Sequence, residues 1–164
     1  MKIYSKIVFF SITCLLTVLF SCSKPKLYPV EPQISYQGFT LLLNQDSITE
    51  KGVLKFSFTD GDGDIGLTQA DTLPPYDFNL YITYFEKQNG VYKKVDLAST
   101  LNGRIPILTP EGDVKSIKGD IQDTLFINNP LSTFDTIKYE IYIVDRALHK
   151  SNVIQTPDIV VKKR

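Results

Sequence analysis

From Ile34 onward, apolar and polar residues alternate in short runs that break at Gly, Pro, Asn and Asp, a rhythm that predicts strands joined by turns. The clearest run is Val53 to Thr59, with Leu54, Phe56 and Phe58 on one face and Lys55, Ser57 and Thr59 on the other. A period of two sets one face against a core and the other in water. Phe78 to Phe85 alternates less cleanly, with Phe78, Leu80, Ile82 and Tyr84 opposite Tyr81 and Phe85, which predicts a central strand covered on both faces. Gln88-Asn89-Gly90 turns the chain into Val91 to Leu97, a hairpin. Arg104 to Leu108 contains Pro106 and reads as an edge strand or an irregular segment. Ile117 to Ile127 carries Gly119 and Asp123 among apolar residues, which predicts a bulge or break. Ile137, Tyr139, Ile141 and Ile143 line the inner face of the next strand, and Val153 to Val161 closes the fold with Pro157 at an edge or kink. No run longer than two helical turns has an amphipathic period. The elements predict an all-β antiparallel sandwich of about seven to eight strands.

The first 33 residues follow another pattern. Lys2 and Lys6 precede an apolar stretch of 14 residues from Ile7 to Phe20, the order of an export signal. Such a stretch is shorter than the roughly 20 residues a helix needs to cross the hydrocarbon core, so removal is expected. The run Leu19-Phe20-Ser21-Cys22 resembles the lipobox of bacterial lipoproteins. That resemblance implies cleavage before Cys22, a diacylglycerol on its sulfur and an acyl chain on its new amino group. Ser23 stands where an Asp, in some lipoproteins, retains the product in the inner membrane, so the resemblance implies an outer-membrane address with the facing undecided. The expected organisation is a signal over 1–21, the lipidated Cys22 with a Pro-rich tether over 22–33, and one domain over 34–164. Pro25, Pro29 and Pro32 make Ser23 to Gln33 an extended spacer of about 30 Å in polyproline geometry.

Cleavage leaves 143 residues, the size of a single domain. Loss of Lys2 and Lys6 leaves 16 basic residues against 18 acidic ones, a net charge of about −2. Nucleic acid is a poor partner for such a chain, because neutralising phosphates needs a basic face. Cys14 departs with the signal, so no disulfide is expected in the mature chain. Stability then rests on the core, with a bound ion as a further source.

Asp60-Gly61-Asp62-Gly63-Asp64-Ile65-Gly66 is the strongest chemical signal. Gly61, Gly63 and Gly66 have the G-x-G-x-x-G spacing of a dinucleotide loop, but three carboxylates would repel a phosphate and no helix pattern follows. The carboxylates suit a hard cation such as Ca²⁺, which takes several oxygen ligands. The loop is similar to the acidic half of an EF-hand, with Asp71 at the twelfth position, yet Ile65 stands at the sixth, where the sharp turn needs Gly. A strand-to-strand calcium loop is favoured over an EF-hand; a solvated Asp-Gly turn that binds nothing fits the same residues.

Phe56 to Gly66 and Tyr142 to Asn152, the second carrying Asp145-Arg146-Ala147, together resemble segments of secreted bacterial lipoproteins with an immunoglobulin-like or cadherin-like sandwich. The resemblance implies that fold more than any job, since such sandwiches host many functions. Asp145 becomes a further ligand if its loop meets the acidic loop. If Arg104 to Leu108 is a full strand, the two loops lie at opposite ends; if it is irregular, they share one.

Four tripeptides pair an Asp with a hydroxyl and an aliphatic residue: Asp46-Ser47-Ile48, Asp71-Thr72-Leu73, Asp123-Thr124-Leu125 and Asp135-Thr136-Ile137. They resemble the acceptor of an O-glycosylation system of some Gram-negative bacteria, which implies glycans at Ser47, Thr72, Thr124 and Thr136. They are equally natural turn-to-strand junctions. Catalysis has little support. His149 is the only histidine and sits in a polar turn, and one His with a lipidated Cys falls short of a zinc set. Tyr81, Tyr84, Tyr92, Tyr139 and Tyr142 read as sheet residues. The expected function is a lipid-anchored, non-catalytic binding or scaffolding sandwich with an envelope protein or glycan partner. A small envelope hydrolase or carbohydrate-active enzyme, and a structural subunit of an envelope complex, are the alternatives.

Overall fold

The computed structural model describes residues 28–109 and 116–163. The expected signal and Cys22 lie outside these residues. Among the described residues eight strands form: β1 (Gln33–Leu43), β2 (Thr49–Asp60), β3 (Leu80–Gln88), β4 (Val91–Lys94), β5 (Ile117–Phe126), β6 (Thr136–Ile143), β7 (Ile154–Gln155) and β8 (Ile159–Val160). One sheet has the order β1-β2-β5, the other β4-β3-β6-β7 with β8 also on β6, and every strand pair is antiparallel. The chain crosses between sheets after β2, β4 and β5, which makes an all-β sandwich of two antiparallel sheets.

Strand alternation builds the core as expected. Leu54, Phe56 and Phe58 of β2 are buried, as are Leu80, Ile82 and Tyr84 of β3 and Ile137, Tyr139, Ile141 and Ile143 of β6. Their burial is the main stabilising term, worth roughly 1.5–3 kcal/mol for each large side chain. Gly52 leaves room for the Phe39 ring, which any Cβ there would strike and which stacks on Tyr139 at 5.8 Å.

Two expectations change, and two open alternatives are decided. Ile117 to Phe126 is a continuous strand in unbroken register with β2, and the irregularity falls instead in β1 between Tyr36 and Gly38. Gly119 and Asp123 belong to the inner-facing set of β5, and Gly119 lies beneath the Phe58 ring, which explains a glycine without a bulge. The outer face of β3 is half-buried and not fully covered. Of the two alternatives for Arg104 to Leu108 the irregular one holds: among the described residues, Gly103 and Pro106 make only isolated bridges to Leu80 and Leu67. Pro157 divides the final segment into β7 and β8. The hairpin stands, with Asn89 and Gly90 at φ 52° and 85°, the left-handed pair that a two-residue turn requires.

Tyr28 to Gln33 packs on the domain. Pro32 is buried, and the backbone of Tyr28 and Pro29 lies so close to Gly61 that a Cβ there would strike both carbonyls. At the far end of β3, Glu86 is buried and accepts hydrogen bonds from Tyr84, Asn129, Ser132 and Gln88.

Candidate metal centre

Asp60 continues the inner-facing set of Leu54, Phe56 and Phe58, so its carboxyl enters the end of the core, and its exposure is 0%. The next residues reverse the chain at once. Gly63 and Gly66 adopt φ 72° and 124°, and Ile65 returns to full burial. Gly66 faces the backbone of Pro106 and Ile107 with no room for a side chain. This tight loop turns Asp62 and Asp64 back toward Asp60.

Asp145 arrives from β6. Because the segment from Gly103 to Leu108 crosses irregularly, β6 ends beside the acidic loop, and the two loops share an end of the sandwich. One carboxylate oxygen from each of Asp60, Asp62, Asp64 and Asp145 lies within 4.8 Å of the others. The backbone orients them. Asp60 Oδ2 accepts from Ile65 N–H at 3.2 Å, and Asp64 Oδ2 accepts from Ala147 N–H at 3.0 Å, which ties the two loops together. The Asp145 oxygens meet His149, Oδ1 at its N–H (2.7 Å) and Oδ2 at its ring Nδ1 (3.0 Å).

The opposite oxygens carry the chemistry. Oδ1 of Asp60, of Asp62 and of Asp64 is buried and has no hydrogen-bond partner among the described residues. Burial first, then the charges of Asp62 and Asp64, push the Asp60 carboxyl up to about 6 against the pull of the Ile65 N–H. Burial, then Asp145 and Asp62, likewise raise Asp64. Hydrogen bonding to Asp145 raises His149. Carboxylates about 4 Å apart repel by roughly 4 kcal/mol per pair at the effective dielectric of a protein surface. Four carboxylates, three of them with a buried oxygen that lacks a hydrogen bond, form a cluster that could hold a metal ion, and an all-oxygen donor set suits a hard cation.

Asp71 does not join them. Beyond Gly66 the chain leaves the loop through the Leu67 bridge to Pro106, and Asp71 instead accepts from Thr68 N–H at 2.7 Å and Thr68 Oγ1 at 2.8 Å. The twelfth-position analogy fails because an EF-hand needs a helix to swing that ligand back, whereas Arg104 here holds the exit by donating to the Thr68 carbonyl at 2.7 Å.

Ser47, Thr72 and Thr124 are exposed, Ser47 on a turn at φ 57°. Thr136 is half-buried and donates to Asp135 at 3.0 Å. Tyr81 and Tyr142 stack at 4.8 Å on the outer face of the larger sheet, with Lys150 over Tyr142 at 3.8 Å, while Tyr84 and Tyr139 are core residues. Two contacts at the acidic end have no signal in the local sequence: the backbone of Tyr28 and Pro29 against Gly61, and the Asn152 side chain bonded to the Ile34 backbone. Comparison with protein-family models, with curated proteins and with solved structures returned no match for this chain.

Proposed function

We propose that this chain is an outer-membrane lipoprotein, held by diacyl and N-acyl chains on Cys22, whose immunoglobulin-like sandwich serves as a non-catalytic binding or scaffolding module stabilised by Ca²⁺. The observation that carries the reading is the set of three buried oxygens on Asp60, Asp62 and Asp64 that find no hydrogen-bond partner among the described residues, in a cluster completed by Asp145. Calcium accepts six to eight oxygens at relaxed geometry, whereas Mg²⁺ demands a near-ideal octahedron and sheds water reluctantly, so an irregular four-carboxylate cluster favours the larger ion. Lipidation at Cys22 follows from the Leu19-Phe20-Ser21-Cys22 run, and two or more acyl chains give firm anchoring. The partner is an envelope protein or a glycan.

The test is thermal melting of the full chain in chelator and in millimolar calcium, with intact mass of the native membrane form. A rise in melting temperature with calcium, smaller with magnesium, together with lipid mass on Cys22, is expected. Equal melting in chelator and calcium removes the ion; an unmodified Cys22 amine and thiol removes the anchor.

A further inference from the structure

We infer that the cation in the acidic loop sets how far the sandwich stands from the bilayer, by fixing the chain that leads to Cys22 against the domain. The inference rests on the lipid-anchored, calcium-binding reading above. Gly61 lies between two of the ligands, and it is the residue on which the Tyr28 and Pro29 backbone rests, with no space for even a Cβ between them. Glu31 follows on the same segment, close enough for its charge to act on His149, the partner of Asp145. Ile34 is held independently, since Asn152 bonds both its N–H and its carbonyl. The segment from Tyr28 to Pro32 therefore lies between a permanent clasp at Ile34 and a seat at Gly61 whose shape depends on the cluster.

With the ion bound, the carboxylates converge and the seat is kept, so the chain is held against the domain from Tyr28 onward. Without it, Asp60, Asp62 and Asp64 carry bare, mutually repelling oxygens and the peptide at Gly61 shifts with them. The segment leaves its seat, and the spacer lengthens to the start of β1 at Gln33. From Cys22 the reach of an extended chain grows from about 20 Å at Tyr28 to about 40 Å at Ile34.

The test uses the lipidated full chain in phosphatidylethanolamine and phosphatidylglycerol vesicles containing an acceptor-labelled headgroup. The donor dye sits on Lys118→Cys, an exposed site paired with Thr59 at the acidic end of β5. Energy transfer should fall about twofold or more on chelation, because the reach about doubles, and recover with millimolar calcium. Gly61→Ala should give low transfer with and without calcium while still melting higher in calcium, since its methyl group unseats the segment without removing a ligand. Asp62→Asn should lose both calcium responses. Transfer that ignores calcium while melting responds overturns the inference and leaves the ion reading intact. Melting that also ignores calcium overturns both, and an unlipidated Cys22 overturns the anchor on which the distance depends.

Discussion

Asn152 clasps Ile34 across 118 residues of chain, its Oδ1 accepting from the Ile34 N–H at 2.8 Å and its Nδ2 donating to the Ile34 carbonyl at 2.9 Å. One side-chain amide thus supplies the donor and acceptor that a neighbouring strand would give to the outer edge of β1. It also joins the first strand of one sheet to the loop that follows Asp145 in the other.

Asn152→Ala removes both bonds and should destabilise the domain by about 1–3 kcal/mol, the usual cost of leaving a partly buried backbone pair unsatisfied. Urea unfolding should show a lower midpoint at unchanged slope. Asn152→Asp keeps the acceptor, loses the donor and adds a negative charge beside the acidic end, so it should be no better than alanine.

Asp60→Asn separates the electrostatic cost of the cluster from its use. The amide carries no charge in a site of 0% exposure where burial pushes the acid up to about 6. In chelator at neutral pH the variant should therefore melt higher than the parent chain. In calcium the order should reverse, because the variant gives up a charged ligand. A parent chain that melts above the variant in chelator would remove the repulsion argument.

Glu86 should give the domain an acid-sensitive component. Burial alone would raise this carboxyl, but hydrogen bonds from Ser132, Tyr84, Asn129 and Gln88 outweigh it and hold the group below its usual range. A folded-state value below the unfolded one contributes stability that is fully present above the unfolded carboxylate range, near pH 4 to 5, and is lost as pH falls through the folded value. Glu86→Gln should cost about 1–3 kcal/mol at pH 7, and the gap to the parent chain should narrow as the pH is lowered below about 4. A gap of constant size across that window would assign the loss to shape alone.

Tyr139→Phe should be neutral or stabilising by up to about 1 kcal/mol. The ring is fully buried between Phe39 and Tyr84, at 5.8 Å and 5.7 Å, while its hydroxyl is buried with no hydrogen-bond partner among the described residues. Removing that oxygen keeps the stacking and ends an uncompensated desolvation. Differential calorimetry reads the change directly, and a drop in melting temperature would show that the hydroxyl has a partner.

Periodicity is a local property, and what depends on it could be read from the chain. The alternation of Leu54, Phe56 and Phe58 carries through to Asp60 and places that carboxyl on the dry face, where it is found. Asn89-Gly90 similarly dictates its own turn, because two left-handed residues in a row leave few other conformations. Gly119 and Asp123 misled for the same reason: their residue types argue for a break, but the partner strand β2 supplies a complete ladder and the Phe58 ring fills the space above the glycine. Tertiary structure alone decided that Asp145 joins the acidic loop and Asp71 does not. Asp145 depends on how many times the chain crosses the sandwich, and hence on whether Gly103 to Leu108 pairs as a strand or only touches Leu80 and Leu67. Asp71 is a near neighbour in sequence, but Arg104, brought from 36 residues away, holds the loop exit at Thr68 and turns it aside. Each is a contact between residues far apart in the chain, fixed by strand count and packing, which no local pattern encodes.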